Sequence, residues 1–247
     1  MAFRLPQKPV PQAPLAPAAP FYAIGDIHGH ADQLIAALRL IDSHNRPAPI
    51  LCLGDYIDRG SQSLQVLARL QHEETTRGTD RFICLLGNHE KMLLDCLDDP
   101  KQHLWKWIRA GGSDTAGELG LQPPPPNAPD DDWRAFAIEM RTALTPRTLR
   151  WLQKRPYKWQ SGNILAVHAG ADPATPIDTQ NDKTCLWGHK DFLTCARKDQ
   201  CWVLHGHTIV QTPTSEKGRI AIDTGVYKTK RLTVAYIEPK KVSFFEV

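Results

Sequence analysis

The stretch FICLLGNHEKML, Phe82 to Leu93, carries five apolar residues straight into Gly87-Asn88-His89-Glu90. A short, unbroken apolar run reads as a strand covered on both faces. Folding alone gives no reason to end such a strand on an amide, an imidazole and a carboxylate. Two further runs share the format: FYAIGD (Phe21–Asp26) and PILCLGD (Pro49–Asp55). Each is apolar and each ends in Gly and Asp. Helical spacing follows both, with Leu34, Leu38 and Ile41 after the first and Leu64, Leu67 and Leu70 after the second. Ser61 is the expected N-cap of the second helix. Strand, helix, strand, helix, strand predicts a parallel sheet. Ligands of such sheets bind beyond the carboxyl ends of the strands, so the three polar endings should share one edge.

From His89 to about Arg155 the pattern is mostly helical, with a break expected at Gly111-Gly112 and a surface loop at QPPPPNAPDDD (122–132). The C-terminal part returns to strands: NILAVHAG, CWVLHGHT, RIAIDTG, LTVAYIE and KVSFFEV. Short separations between the last four predict an antiparallel second sheet. The expected fold class is α/β: a β-sandwich of two sheets packed face to face and flanked by helices. There is no internal repeat.

Residues 1–20 hold six prolines and no apolar segment of the kind a signal peptide needs, and they read as a disordered Pro/Ala tail. The formal net charge of +3 is too mild to predict a nucleic-acid surface. No apolar run approaches the ~18 residues that cross a membrane, so no membrane partner is expected. The six cysteines include no CxxC pair, and Cys52 and Cys84 sit inside strand-like runs, which points to a reducing cytoplasm.

Five segments carry chemistry: GDIHG (25–29), GDYIDRG (54–60), GNHE (87–90), VHAG (167–170) and HGHT (205–208). Each follows an apolar run and each contributes Asp, Asn or His. A mixed oxygen and nitrogen set suits Mn²⁺, Fe²⁺ or Zn²⁺. The number of ligands exceeds what one ion needs and fits two ions sharing a carboxylate.

In this order the five segments resemble the phosphoprotein phosphatase family of metallophosphoesterases, and in particular its bacterial and phage-type serine/threonine phosphatase branch. WIRAGGSDT (Trp107–Thr115) and IAIDTGVYKTKRLTVAYIE (Ile220–Glu238) are similar to that branch as well. The resemblance implies a calcineurin-like metallophosphoesterase domain over residues 21–247 and two divalent metal ions, Mn²⁺ foremost. It implies Asp26 and His28 on the first metal, Asp55 bridging, and Asn88, His168 and His207 on the second. Arg59, with Asn88, would grip the substrate phosphate. His89 would be the general acid, held by Asp58. His205 is left as a structural or supporting residue, and Glu90 is expected to order the turn or cap the following helix.

The implied substrate is a phosphoprotein or phosphopeptide, whose seryl leaving group needs a proton from an acid. Two rivals remain: a diadenosine polyphosphate hydrolase of the same superfamily, and a non-catalytic metal-binding module on the same fold. One position departs from the pattern. Where relatives carry Leu-Trp-Ile-Arg, with that Arg a second phosphate clamp, this chain has Leu186-Trp187-Gly188-His189-Lys190. His189 or Lys190 is expected to replace the clamp, with Arg197 as the fallback.

Overall fold

Three apolar runs become the parallel heart of one sheet in the computed structural model, which describes residues 12–247. Strand β1 (Phe21–Ile24) leads through helix α1 (Ala31–Ser43) to β2 (Ile50–Cys52). Helix α2 (Ser63–Arg77) then leads to β3 (Phe82–Cys84), and α3 (Asn88–Asp98) begins on the site residues themselves. Ile24 pairs with Cys52, and Cys52 with Cys84, so all three strands stop level with one another. Asp26, Asp55 and Asn88 follow those ends and therefore emerge at one edge.

Helices α4 (Pro100–Trp107), α5 (Ser113–Glu118) and α6 (Asp130–Gln153, broken at Thr145) cover this sheet. Between α4 and α5 the chain makes a wide turn over Ile108–Gly112, in which Gly111 takes φ 116°. The expected break falls there.

The second sheet comprises β4 (Lys158–Ser161), β5 (Ile164–Val167) and, after α7 (Asp182–Trp187), β6 (Trp202–His205), β7 (Thr214–Glu216) and β8 (Arg219–Ala221). Its order is β4-β5-β6-β8-β7. After the short helix α8 (Val226–Thr229), the hairpin β9 (Thr233–Glu238) and β10 (Lys241–Glu246) returns to the first sheet, whose order is β10-β9-β1-β2-β3. The fold is thus the expected α/β two-sheet sandwich flanked by helices.

The antiparallel second sheet is corrected. Strand β6 runs parallel to both β5 and β8, and LTVAYIE pairs with β1 instead of joining the second sheet. The reason is packing. Ala235 and Ile237 of β9 lie in the core between the sheets and Tyr236 lies in the core under the helices. A strand buried on both faces fits a sheet covered on both faces, whatever its distance along the chain.

Alternation divides the core into layers. Phe21, Ala23, Leu51, Leu53 and Leu85 face the second sheet and meet Ile164, Ala166, Leu204, Ile220 and Ile222. Tyr22, Ile24, Ile50, Cys52 and Cys84 face the helices. All six cysteines are free thiols.

Two further expectations change. Ser61 does not cap α2: the carboxylate of Glu118 accepts from the backbone nitrogens of Ser63 (2.6 Å) and Leu64 (3.0 Å). The disordered tail is half overturned. Residues 1–11 lie outside the described residues, but residues 12–20 dock. Leu15 is buried in the core between the sheets, Asn163 bonds Ala16 N and Pro14 O, and Trp202 Nε1 donates to Ala13 O. Proline costs little in such a segment, because the N–H groups the docking uses belong to Ala16 and Ala18, and Pro14 contributes only its carbonyl.

Candidate active site

The five motif segments converge. Asp55 lies at their centre, buried, with each carboxylate oxygen facing a different partner. Its Oδ2 lies 3.5 Å from His28 Nε2, and its Oδ1 lies 3.3 Å from His168 Nε2. His168 Nε2 is also 2.8 Å from Asn88 Oδ1. Two groups of possible metal ligands follow from this geometry: His28, Asp55 and His89 on one side, and Asp55, His168 and His207 on the other. The structure thus puts Asp55 between two clusters, as a bridging carboxylate requires.

Backbone acceptors fix which imidazole nitrogens are free. His28 Nδ1 lies 3.0 Å from Ile57 O, and His168 Nδ1 lies 3.0 Å from Leu53 O. A carbonyl can only accept, so both Nδ1 atoms carry the proton and both Nε2 lone pairs face Asp55. Burial pushes the pKa of His28 down to about 3 and that of His168 down to about 4. Both rings are neutral, the form that binds metal. Burial alone would raise Asp55, but the positive charge that His168, His89 and His28 carry when protonated in acid outweighs it and holds the carboxyl below its ordinary range.

Asp26 stands apart from the two tight groups. Its Oδ2 accepts from His207 N at 3.0 Å, while its Oδ1 is buried with no hydrogen-bond partner. Burial and the neighbouring Asp223 and Asp55 raise its pKa well above the ordinary value. An orphaned carboxylate oxygen among buried acids is costly unless a cation meets it. With two imidazole lone pairs facing Asp55 and Asn88 Oδ1 beside His168 Nε2, the donor set fits two divalent ions. The expected ligands Asp26, His28, Asp55, Asn88, His168 and His207 are therefore assembled in one place. His205 is buried beside them, edge-on to Phe192 at 4.9 Å, and serves packing.

The local backbone is strained to achieve this. His28, Asp55, Asp58, Arg59 and His207 all have positive φ. For residues with a Cβ this costs on the order of 1 kcal/mol each and is typical of functional turns. Glu90 offsets part of that cost. Its carboxylate accepts from the nitrogens of Asp55 (2.9 Å), Tyr56 (2.8 Å), Ile57 (3.2 Å) and Gly87 (3.0 Å).

His89 does not point into the cluster by both nitrogens. Nδ1 lies 2.8 Å from Asp58 Oδ2, and Nε2 lies 3.8 Å from Asp55 Oδ2. Burial lowers its pKa, but Asp55 and the bond to Asp58 outweigh burial, and the net shift is upward. Arg59 lies across Tyr227, 4.7 Å from the ring centre, with Nη1 3.3 Å from His28 Nε2. Its Nε donates to Ala110 O (3.1 Å). A Cβ on Gly111 would fall 2.7 Å from Arg59 Cγ, so the turn at Gly111 makes room for the guanidinium stem.

The replacement clamp residues lie differently. His189 Nδ1 accepts from Asp191 N at 3.3 Å, and Lys190 is exposed. Among the described residues no hydrogen bond or ion pair joins either to the Asp55 cluster. Arg197 is committed elsewhere, donating to Asp172 O (2.8 Å) and Thr175 O (2.7 Å) and pairing with Asp199. Sequence reasoning gave no role to Trp107, Thr115, Tyr227 or Asp223. The first two bond Asp58, and burial raises Asp223 to about 6 beside Asp26. Only the similarity of their segments to the phosphatase branch singled them out.

Comparison with known proteins agrees with this geometry. The family model described as calcineurin-like phosphoesterase matches residues 19–211. Serine/threonine-protein phosphatase 2 of Salmonella typhimurium is 32% identical over 224 residues, covering 86% of this chain and 90% of that protein. The symmetrical bis(5'-nucleosyl)-tetraphosphatase of Actinobacillus pleuropneumoniae serotype 3 is 26% identical over 188 residues, covering 75% of this chain. The chain spans only about half of that relative, 53%. Among solved structures, the cold-active protein-tyrosine phosphatase of a psychrophilic Shewanella superimposes with a TM-score of 0.60 at 15% identity, covering 94% of this chain and 83% of that one.

Proposed function

The chain belongs to the calcineurin-like phosphoesterase family, and from that premise we propose that it removes phosphate from seryl and threonyl side chains of proteins. The observation that carries this reading is the buried pair His89–Asp58, 2.8 Å apart, beside the bridging position of Asp55. An alkoxide is a poor leaving group, and a positioned acid contributes roughly 10²–10⁴-fold when such a group departs.

Asp26, His28 and Asp55 would hold one divalent ion, and Asp55, Asn88, His168 and His207 the other. When bound, the two ions acidify a shared water and neutralise phosphoryl oxygens. Arg59 would take two phosphoryl oxygens with its planar fork of donors. His89 has Nδ1 committed to Asp58, so Nε2 carries the proton that passes to the leaving oxygen. The upward shift of its pKa keeps that proton available nearer neutrality.

A second reading is hydrolysis of diadenosine polyphosphates. The similarity to symmetrical tetraphosphatases favours it, although those relatives are matched over about half their length. Mn²⁺ is the proposed metal in both readings, and the donor chemistry also suits Fe²⁺ or Zn²⁺. Kinetics with phosphoserine, phosphothreonine and phosphotyrosine peptides, and with diadenosine tetraphosphate, separate the two. The first reading expects the highest kcat/KM for phosphoserine or phosphothreonine. A preference for the dinucleotide over every peptide would replace it with the second.

A further inference from the structure

We propose that Trp107 and Thr115 are positioning residues for the proton donor: they hold Asp58 in the orientation that aims His89 at the leaving group. This deepens the reading of His89 as the general acid and rests on it. Asp58 is fully buried, and its carboxylate has three donors. His89 Nδ1 and Trp107 Nε1 both meet Oδ2, at 2.8 and 2.9 Å. Thr115 Oγ1 donates to Oδ1 at 2.6 Å.

None of this is local to Asp58. Trp107 ends α4 and Thr115 sits in α5, 49 and 57 positions along the chain. The backbone at Asp58 is left-handed, with φ 71°, and the donors that hold its carboxylate come from α3, α4 and α5. Thr115 Oγ1 also accepts from Asp58 N (3.1 Å) and lies 3.1 Å from Ser63 Oγ, which accepts from the same nitrogen at 3.2 Å. One hydroxyl thereby binds both the side chain and the main chain of Asp58. Trp107 is held against Gly112, where a Cβ would fall 2.3 Å from the indole. A flat approach of that kind fixes the ring plane and hence the direction of its N–H.

Two neutral donors, one on each oxygen, fix the Asp58 carboxylate with Oδ2 presented to the imidazole. Removing either donor frees the carboxylate to turn, so that His89 loses its aim without losing its own side chain. Trp107 as mere core filling would instead predict loss of stability with no preference among substrates.

The test compares Trp107→Phe and Thr115→Val with the parent, using Thr115→Ser as rescue and His89→Asn as reference. The substrates are a phosphoserine peptide, with a poor leaving group, and p-nitrophenyl phosphate, with a good one. Hydrogen bonds to charged groups predict a loss of roughly tenfold or more in kcat for the peptide in each variant. The aryl phosphate should lose less than about threefold, because its leaving group needs little protonation. KM and bound metal should match the parent, and Thr115→Ser should recover most of the peptide activity. Equal losses on both substrates, loss of metal, or no loss at all would overturn the proposal. If Trp107→Phe fails to fold, Thr115→Val against Thr115→Ser still decides. If His89→Asn itself shows no difference between the substrates, the acid assignment fails first. If His89→Asn discriminates and the other variants do not, only the positioning role fails.

Discussion

Glu90 fastens the loop that carries Asp55: its Oε2 accepts from Asp55 N at 2.9 Å, across 35 positions of sequence. The same carboxylate takes the nitrogens of Tyr56, Ile57 and Gly87, so one side chain ties the ends of β2 and β3 together. Glu90→Gln keeps the shape but replaces one acceptor oxygen with an NH2 donor. It should cost about 2–3 kcal/mol, the scale of a lost hydrogen bond plus a stranded buried N–H, and weaken metal binding at Asp55. Denaturant unfolding and calorimetric metal titration check both effects. A variant as stable and as tight as the parent would mean that the loop holds itself.

Asp55 and His89 lie 3.8 Å apart yet should fail differently. Asp55→Asn should lose metal, because it removes charge from both candidate clusters at once. His89→Asn should retain metal and lose roughly 10²–10⁴-fold in kcat on an alkyl phosphate. Metal analysis beside kinetics distinguishes them. Loss of metal from His89→Asn, with undiminished activity per ion, would make His89 a ligand, as its place in one geometric group allows.

Stripping metal should abolish hydrolysis of p-nitrophenyl phosphate, and Mn²⁺ should restore it better than Mg²⁺. Imidazole and amide ligands suit Mn²⁺, whereas Mg²⁺ prefers carboxylate and water. Mn²⁺ should also raise the melting temperature, because it binds only the folded cluster. Full activity in a chelator, with metal verified absent, would end the dinuclear reading.

The segment around Gly188 should matter less to substrate than its place in the chain suggests. His189→Ala and Lys190→Ala should change KM by less than about twofold, because neither side chain bonds the Asp55 cluster among the described residues and Lys190 is exposed to solvent. Arg197→Ala should leave KM alone and cost about 1–3 kcal/mol, because it strands the carbonyls of Asp172 and Thr175. A tenfold rise in KM for Lys190→Ala would restore it as the second clamp.

The parts of the fold that were legible in the sequence share a cause. Apolar runs ending in Gly and a ligand encode both the strand and its exit, and Asp26, Asp55 and Asn88 emerged as that pattern requires. The runs LTVAYIE and KVSFFEV were legible as strands, although the sheet they join was not. What escaped was long-range partnership. No local period says that β9 pairs with β1, that Glu118 caps α2, or that Trp107 and Thr115 serve Asp58. Residues 12–20 misled because composition reports the entropy a free chain would lose, not the contacts with Asn163 and Trp202 that hold this segment.

The division of the site between two sheets makes their separation a caliper. Asp26, Asp55 and Asn88 hang from one jaw and His168 and His207 from the other, and Leu53 is one of the spacers between them. Its side chain lies between the jaws while its carbonyl holds His168 Nδ1. Leu53→Ala should cost about 2–5 kcal/mol as a core cavity. It should also lower the affinity of the protein for a second equivalent of Mn²⁺ more than for the first. Unchanged stepwise metal affinities in that variant would show that the jaws close on the ions, and not on the leucine between them.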